Sequence, residues 1–192
     1  MVKFTRGGGI LENFLAVQRA KKADSLIEDR FRSGKILDVG CGAFPLFLFK
    51  TRFKDKYGLD YQNHPSLKGM TLKKLDVSSS RIPYRSRTFN VVTMLAVLEH
   101  FNQFQGERIL LEAKRTLKKG GLIILTTPTP LGNKVLKVMA KIGLVSSEEI
   151  NEHKKIYALK ELKKKLIDFG FQPVSAKHFE FFMNNSISAI KT

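Results

Sequence analysis

The stretch ILDVGCGAFP, Ile36 to Pro45, carries an apolar run into an aspartate, alternates two glycines with other residues and turns at a proline. A strand ending in such a turn opens a strand–loop–helix unit, in which the loop brings bare backbone to a ligand. Gly40 and Gly42 suit that role, because no Cβ blocks the approach and unusual backbone angles cost little. A dinucleotide fingerprint, G-x-G-x-x-G, lacks its third glycine here. The bulk of Phe44 and the rigid Pro45 would crowd a helix meant to meet a pyrophosphate. No Gly-Lys-Ser/Thr follows, which excludes a P-loop.

Outward from this loop, elements alternate in type. Residues Ile10 to Arg32 read as a helix with Ile10, Phe14, Val17, Leu26 and Ile27 between charged positions, ended by Ser33-Gly34. KILDVG, KYGLD and TLKKLDV read as short strands, and FNVVTMLAVL as a longer, nearly continuous apolar one. Continuous apolar strands fit a parallel sheet covered on both faces. Glu107–Lys119 is an expected helix stopped by Gly120-Gly121, followed by a strand over Leu122–Thr127. Helices are expected over Leu131–Ile142 and Ala158–Phe169, and strands around Phe171–His178 and Phe182–Lys191. The pattern predicts an α/β, doubly wound, Rossmann-like fold: a mostly parallel seven-stranded sheet, helices on both faces, and an antiparallel last strand.

Composition narrows the class. A chain of 192 residues with 43% hydrophobic and 27% charged residues suits one soluble domain. One cysteine excludes a disulfide framework and most zinc sites; no metal is expected, and the cytoplasm is the expected compartment. VVTMLAVL, Val91 to Leu98, is too short to span a bilayer. Lys3 and Arg6 precede apolar residues, but Glu12 and Asn13 interrupt them, against a cleaved signal peptide. The net charge of +17 suits anionic partners or merely a solvated surface. Every arginine lies at or before Arg115, which weighs against nucleic acid, since arginine is the better fork for phosphates and base edges.

Three carboxylates stand at successive strand ends beside the glycine loop. Asp38 favours a positively charged ligand and would repel a diphosphate. Asp60 is placed to accept from both hydroxyls of a ribose, and Asp76 from an exocyclic amine. Together they describe a cationic nucleoside.

At these residues the sequence resembles the class I S-adenosylmethionine-dependent methyltransferases, of the small-molecule "type 11"-like branch. The resemblance runs in order through ILDVGCG, GLD at 58–60, KLDV at 74–77, FNVVTMLAVLEHF at 89–101 and LKKGGLIILTTP at 117–128, with a weaker echo over 152–171. Phe44 at the third-glycine position and Asn90, where that family usually has an aspartate, are departures. The resemblance implies S-adenosyl-L-methionine as cofactor. Asp38, Gly40 and Gly42 would surround its methionine part, Asp60 its ribose, and Asp76 with the Val77 backbone its adenine. Leu95 would lie near the methionine end, and Cys41 and Tyr61, neighbours in sequence of Gly40 and Asp60, join the contacts. Cys41 reads as a small packed residue, not a nucleophile.

Methyl transfer from a sulfonium needs alignment, exclusion of water and sometimes removal of a proton. Glu99 and His100, leaving the fourth strand, and His153 and Tyr157, after the fifth, are the candidates for that work. Ala96-Val97-Leu98-Glu99-His100 stands where amino-methylating enzymes of nucleic acids carry Asn/Asp-Pro-Pro-aromatic, which favours a small molecule, lipid or glycan precursor methylated on oxygen or carbon. Leu131 to Ile142 sets Leu131, Val135, Val138, Met139 and Ile142 to one side and Lys134, Lys137 and Lys141 to another. Such a helix suits weak contact with an anionic membrane, a lid over an apolar pocket, or plain core packing. The expected division is a helical cap over 1–33, a cofactor-binding core over 34–128, a lid or insertion over 129–157, and a C-terminal helix with strands over 158–192. An RNA methyltransferase and a non-catalytic cofactor-binding regulatory module are the alternatives.

Overall fold

The computed structural model describes residues 11–192; Lys3, Arg6 and Ile10, used in reading the N-terminal segment, lie outside the described residues. Seven strands form one sheet: β1 (Lys35–Val39), β2 (Asp55–Asp60), β3 (Met70–Lys74), β4 (Phe89–Leu95), β5 (Leu117–Pro128), β6 (Phe171–Phe179) and β7 (Asn184–Lys191). Their order is β3-β2-β1-β4-β5-β7-β6, with β7 antiparallel to both of its neighbours and the pairs from β3 to β5 parallel. The expected topology is therefore the observed one.

Period-two alternation decides what each face buries. Leu37, Val92, Ile123 and Leu125 point into one apolar layer, together with Ile109, Leu110 and Ala113 of helix α4 (Gln103–Thr116) and Leu162 and Leu166 of α7 (Leu159–Asp168). Ile36, Val91, Leu122 and Ile124 point into the other, beneath Ala20 and Ala23 of α1 (Glu12–Asp24), Phe31 of α2 (Asp29–Arg32) and Phe47 of α3 (Leu46–Lys50). Both faces are covered, which is why these strands read as unbroken apolar runs. Two further helices, α5 (Pro130–Lys141) and α6 (Ser147–Asn151), occupy the connection after β5. No helix among the described residues is long and apolar enough to cross a membrane.

Several boundaries differ from the reading of the sequence. The first helix is two. Arg32 folds back, donating to the Asp24 carboxylate and to the carbonyls of Asp24 and Ile27, and Glu28 is extended at ψ 151°. These bonds give the chain partners that a continuous helix would deny it. Phe14, one of the apolar positions that marked this helix, is exposed. Helix α4 begins at Gln103, earlier than expected, because Asn102 and Gln105 form a reciprocal capping box. It ends at Thr116, before the glycine pair. The fourth strand stops at Leu95, where Ala96 takes a left-handed φ of 56° and its N–H donates to the carbonyl and hydroxyl of Thr126. Asn90, the departure from the family pattern, accepts from the Lys35 N–H and the Lys118 ammonium. It ties the starts of β1 and β4 to the turn within β5.

Candidate active site

The carboxyl ends of β1, β2 and β4 open into a cavity of about 450 Å³. α1 walls it with Leu15, Ala16 and Arg19, and the connection after β5 with Leu136, Ile150 and His153. All nine residues assigned to the cofactor line it: Asp38, Gly40, Cys41, Gly42, Asp60, Tyr61, Asp76, Val77 and Leu95.

The glycine loop is held by the end of β2. The Gly40 and Cys41 N–H groups both donate to the Leu59 carbonyl, at 2.7 and 3.1 Å. Asp60 accepts from the Gly42 N–H at 2.9 Å through one oxygen and from the Gln62 N–H at 3.0 Å through the other. Each carboxylate oxygen keeps further acceptor capacity. Gly40 and Gly42 hold φ of 75° and 77°, which L side chains seldom adopt. A Cβ on Gly40 would overlap the Val97 side chain, so the glycine serves the packing of the loop under Val97 as well as the approach of a ligand. Cys41 packs inward beside Gly58. Burial, reinforced by the Asp38 and Asp60 carboxylates, pushes its thiol far above the ordinary range, so it is no nucleophile.

Asp38 is buried, and the Thr93 hydroxyl donates to it at 2.6 Å. Burial pushes its pKa up to about 7, against the lowering by Thr93 and with a further rise from Asp60. A cationic ligand there would return it to the charged form. Asp76 is exposed and accepts from the Ser78 N–H at 2.8 Å and the Ser79 hydroxyl at 3.2 Å, bonds that hold its pKa below the usual range. It is thus both a turn residue and part of the cavity wall. The Val77 carbonyl accepts from Arg108 at 2.9 Å.

The opposite wall gathers the proposed proton-handling residues. After Ala96 the chain tightens into a 3-10 turn over Leu98–His100, so Glu99 and His100 leave a turn and not the strand itself. The N–H groups of Lys154 and Lys155 both donate to the Glu99 carbonyl, at 2.8 and 3.2 Å, and so dock the segment bearing His153 on that turn. The His100 and His153 rings meet edge to face with centroids 5.1 Å apart. His153 Nδ1 lies 2.8 Å from Asn133 Oδ1 on α5. As that oxygen accepts, Nδ1 carries the proton and Nε2 keeps its lone pair. Burial lowers the His153 pKa to about 4, helped by the charges of His100, Arg19 and Lys137, so the ring is neutral at physiological pH. Glu99 is buried with Oε2 lacking a hydrogen-bond partner, and burial raises its pKa to about 7. Ligand atoms of Glu99, His100 and His153 lie within 4.8 Å of one another.

Tyr157 belongs elsewhere. It is fully buried in the apolar layer against Leu98 and Leu162, beside Gly106 and outside the cavity lining. Burial raises its hydroxyl to about 12. The residue is a core aromatic, withdrawn from the candidate bases because its anchor, the Tyr157 carbonyl bonded by Asn185, faces β7. Arg19 and Asn133 were missed in the sequence: an arginine inside a helix and an asparagine after Pro-Leu-Gly carry no signal of their own.

Residues 13–176 match the family model described as Methyltransferase domain. No curated protein matches the chain. Among solved structures it is similar to the Burkholderia thailandensis 1,6-didemethyltoxoflavin-N1-methyltransferase bound to 1,6-didemethyltoxoflavin and S-adenosylhomocysteine (TM-score 0.71, 13% identity, 94% of this chain and 81% of that one). It is also similar to an S-adenosylmethionine dependent methyltransferase from Mesorhizobium loti (TM-score 0.67, 16% identity, 89% and 96%). A SAM-dependent methyltransferase from Thermotoga maritima is likewise similar (TM-score 0.66, 19% identity, 94% and 90%).

Proposed function

Because this chain belongs to the methyltransferase-domain family and takes S-adenosylmethionine as its cofactor, we propose that it methylates an oxygen or carbon of a small, lipid-like acceptor. When bound, the cofactor supplies a methyl group made electrophilic by the sulfonium. Asp38, with the Gly40–Gly42 turn, holds the methionine part. Asp60 accepts from the ribose hydroxyls, and Asp76, Val77 and Tyr61 bound the adenine. Leu95 and Cys41 shape the floor. The fit rests on a left-handed glycine turn packed under Val97 at the cavity wall, beside the buried carboxylates of Asp38 and Asp60, which suit a cation. Removal of the acceptor proton falls to the wall of Glu99, His100 and His153.

The observation that carries the acceptor class is the outer face of α5. Gly132 is its only buried residue, while Leu131, Val138 and Ile142 stand exposed, flanked by Lys134, Lys137 and Lys141. Of the five apolar residues read to one side of this helix, Leu131, Val138 and Ile142 face solvent and Val135 and Met139 are half-buried, while Gly132 packs on Met183 and Leu136 lines the cavity. The β6–β7 turn abuts the same helix through Met183 and exposes Phe181 and Phe182 on left-handed backbone. An apolar strip edged with lysines, on the helix whose Leu136 lines the cavity, suits a headgroup-level contact with acidic lipid. The test is incubation with methyl-labelled cofactor and separated lipid, water-soluble and RNA fractions of a cell extract. Label in lipid supports the reading; label in RNA overturns it.

Three expectations follow from the geometry. Changing Lys134, Lys137 and Lys141 to glutamine should weaken binding to acidic vesicles by about 1 kcal/mol per lysine at low salt, with less effect as salt rises. Co-sedimentation with acidic and neutral vesicles measures it. His153→Ala should lower kcat about a hundredfold while S-adenosylhomocysteine affinity stays within a factor of about two.

The third concerns pH. The folded pKa of Asp38, about 7, lies above its unfolded value, so its contribution to stability is present below pH about 4 and is lost as pH rises through 7. Cofactor binding should act in the opposite sense, favouring the anion. Affinity should therefore tighten from pH 6 to 8 with release of a proton, seen as a buffer-dependent calorimetric enthalpy. In Asp38→Asn both dependences should flatten.

A further inference from the structure

Glu99, His100 and His153 are brought together from two segments, and the geometry points to a binding site for one divalent first-row transition-metal ion on the acceptor wall of the cavity. Its ligand atoms lie within 4.8 Å of one another. Atoms sharing one ion at bond lengths near 2.1 Å stand no more than about 4.2 Å apart, so small side-chain rotations close the site. The donors fit such an ion: two imidazoles and one carboxylate suit zinc, iron or cobalt better than magnesium or calcium, which prefer oxygen throughout.

Independent observations point to a ligand here. Glu99 is 1% exposed, and its Oε2 has no hydrogen-bond partner, an expensive arrangement for a buried carboxyl group unless something else engages it. His153 is oriented as metal-bound histidines are, with Nδ1 held by a side-chain oxygen, Asn133 Oδ1 at 2.8 Å, and the other nitrogen left as donor to an ion. The Glu99 carbonyl, accepting from Lys154 and Lys155, fixes the two segments in register without engaging the carboxylate. Arg19 and Lys137 add positive charge near His153, and the Glu152 carboxylate, 3.7 Å from His100 Nδ1, offsets it.

Three protein ligands leave coordination positions open toward the cavity. Resting on the methyltransferase reading, their role is to hold an acceptor oxygen and make its proton easier to lose. The site then selects acceptors bearing a hydroxyl, and above all adjacent oxygens able to chelate.

The full chain, freed of metal by chelator and dialysis, is titrated with Zn2+ by calorimetry and with Co2+ by visible absorption. One equivalent of each should bind, and ligated Co2+ should show its coloured band. Glu99→Gln and His153→Ala should each weaken Zn2+ binding at least tenfold, and Asn133→Ala about tenfold to a hundredfold. S-adenosylhomocysteine affinity, measured on the same samples, should stay near that of the wild type and reports folding. Absence of stoichiometric binding by the wild type, or equal affinity in folded His153→Ala, overturns the metal site. Metal binding without any S-adenosylhomocysteine binding would instead overturn the cofactor reading and leave the metal site standing.

Discussion

Gly40→Val is expected to abolish cofactor binding. Gly40 sits at φ 75°, where a branched side chain is strained, and its Cβ would collide with Val97, which closes the loop from above. The left-handed backbone alone costs roughly 1–2 kcal/mol, and the collision must displace either Val97 or the loop that the Leu59 carbonyl holds. Either shift moves Cys41, Gly42 and their neighbours away from the cavity. Gly40→Ala should be the milder version, with binding weakened but measurable. Thermal-shift titration with S-adenosylhomocysteine, beside circular dichroism to confirm folding, measures both. A folded Gly40→Val protein that keeps its ligand-induced shift would remove the loop from the cofactor site.

Asp60→Ala should weaken S-adenosylmethionine binding by about tenfold to a few hundredfold, on the basis of charge-assisted bonds worth roughly 1.5–3 kcal/mol each. The structure adds a cost in the ligand-free protein. Asp60 also accepts from the Gly42 and Gln62 N–H groups, and truncation leaves both without that acceptor. A drop in melting temperature should therefore accompany the loss of affinity. Asp60→Asn, which retains one carbonyl oxygen, should recover part of each. Calorimetric titration together with a melting curve separates the two effects, and unchanged affinity in Asp60→Ala would refute the ribose assignment.

The sheet was legible because its strands are buried on both faces. Runs such as Ile36–Val39 and Leu122–Leu125 cannot be anything but interior, and ILDVGCG places the ligand end. Helix limits were less legible. The break after Asp24 depends on Arg32 reaching back, a contact no periodicity encodes, and the start of α4 depends on the Asn102–Gln105 box. In the site, Asp38 and Asp60 fell at the ends of β1 and β2, since strand ends are fixed by the sheet, whereas Asp76 lies in the turn two residues beyond β3. Tyr157 was misplaced because it follows a connection without periodic signal; the docking of Lys154 and Lys155 on the Glu99 carbonyl turns the tyrosine inward shortly after. The same cause hid the meeting of His100 with His153. Their approach is made by backbone bonds between distant segments, which spacing along the chain does not report.

The placement of β7 between β5 and β6 has a consequence for synthesis. Residues 184–191 supply an interior strand, so an emerging chain that has completed β5 still carries Leu122–Leu125 on an unpaired, wholly apolar edge. At roughly 5–20 residues per second, that edge waits roughly 3–13 seconds for its partner. During that interval the nascent chain is most exposed to mispairing with another copy, and a chaperone that shields the β5 edge would act there. Slow codons between α5 and β6 would lengthen the hazard, whereas slow codons before β5 would leave it unchanged.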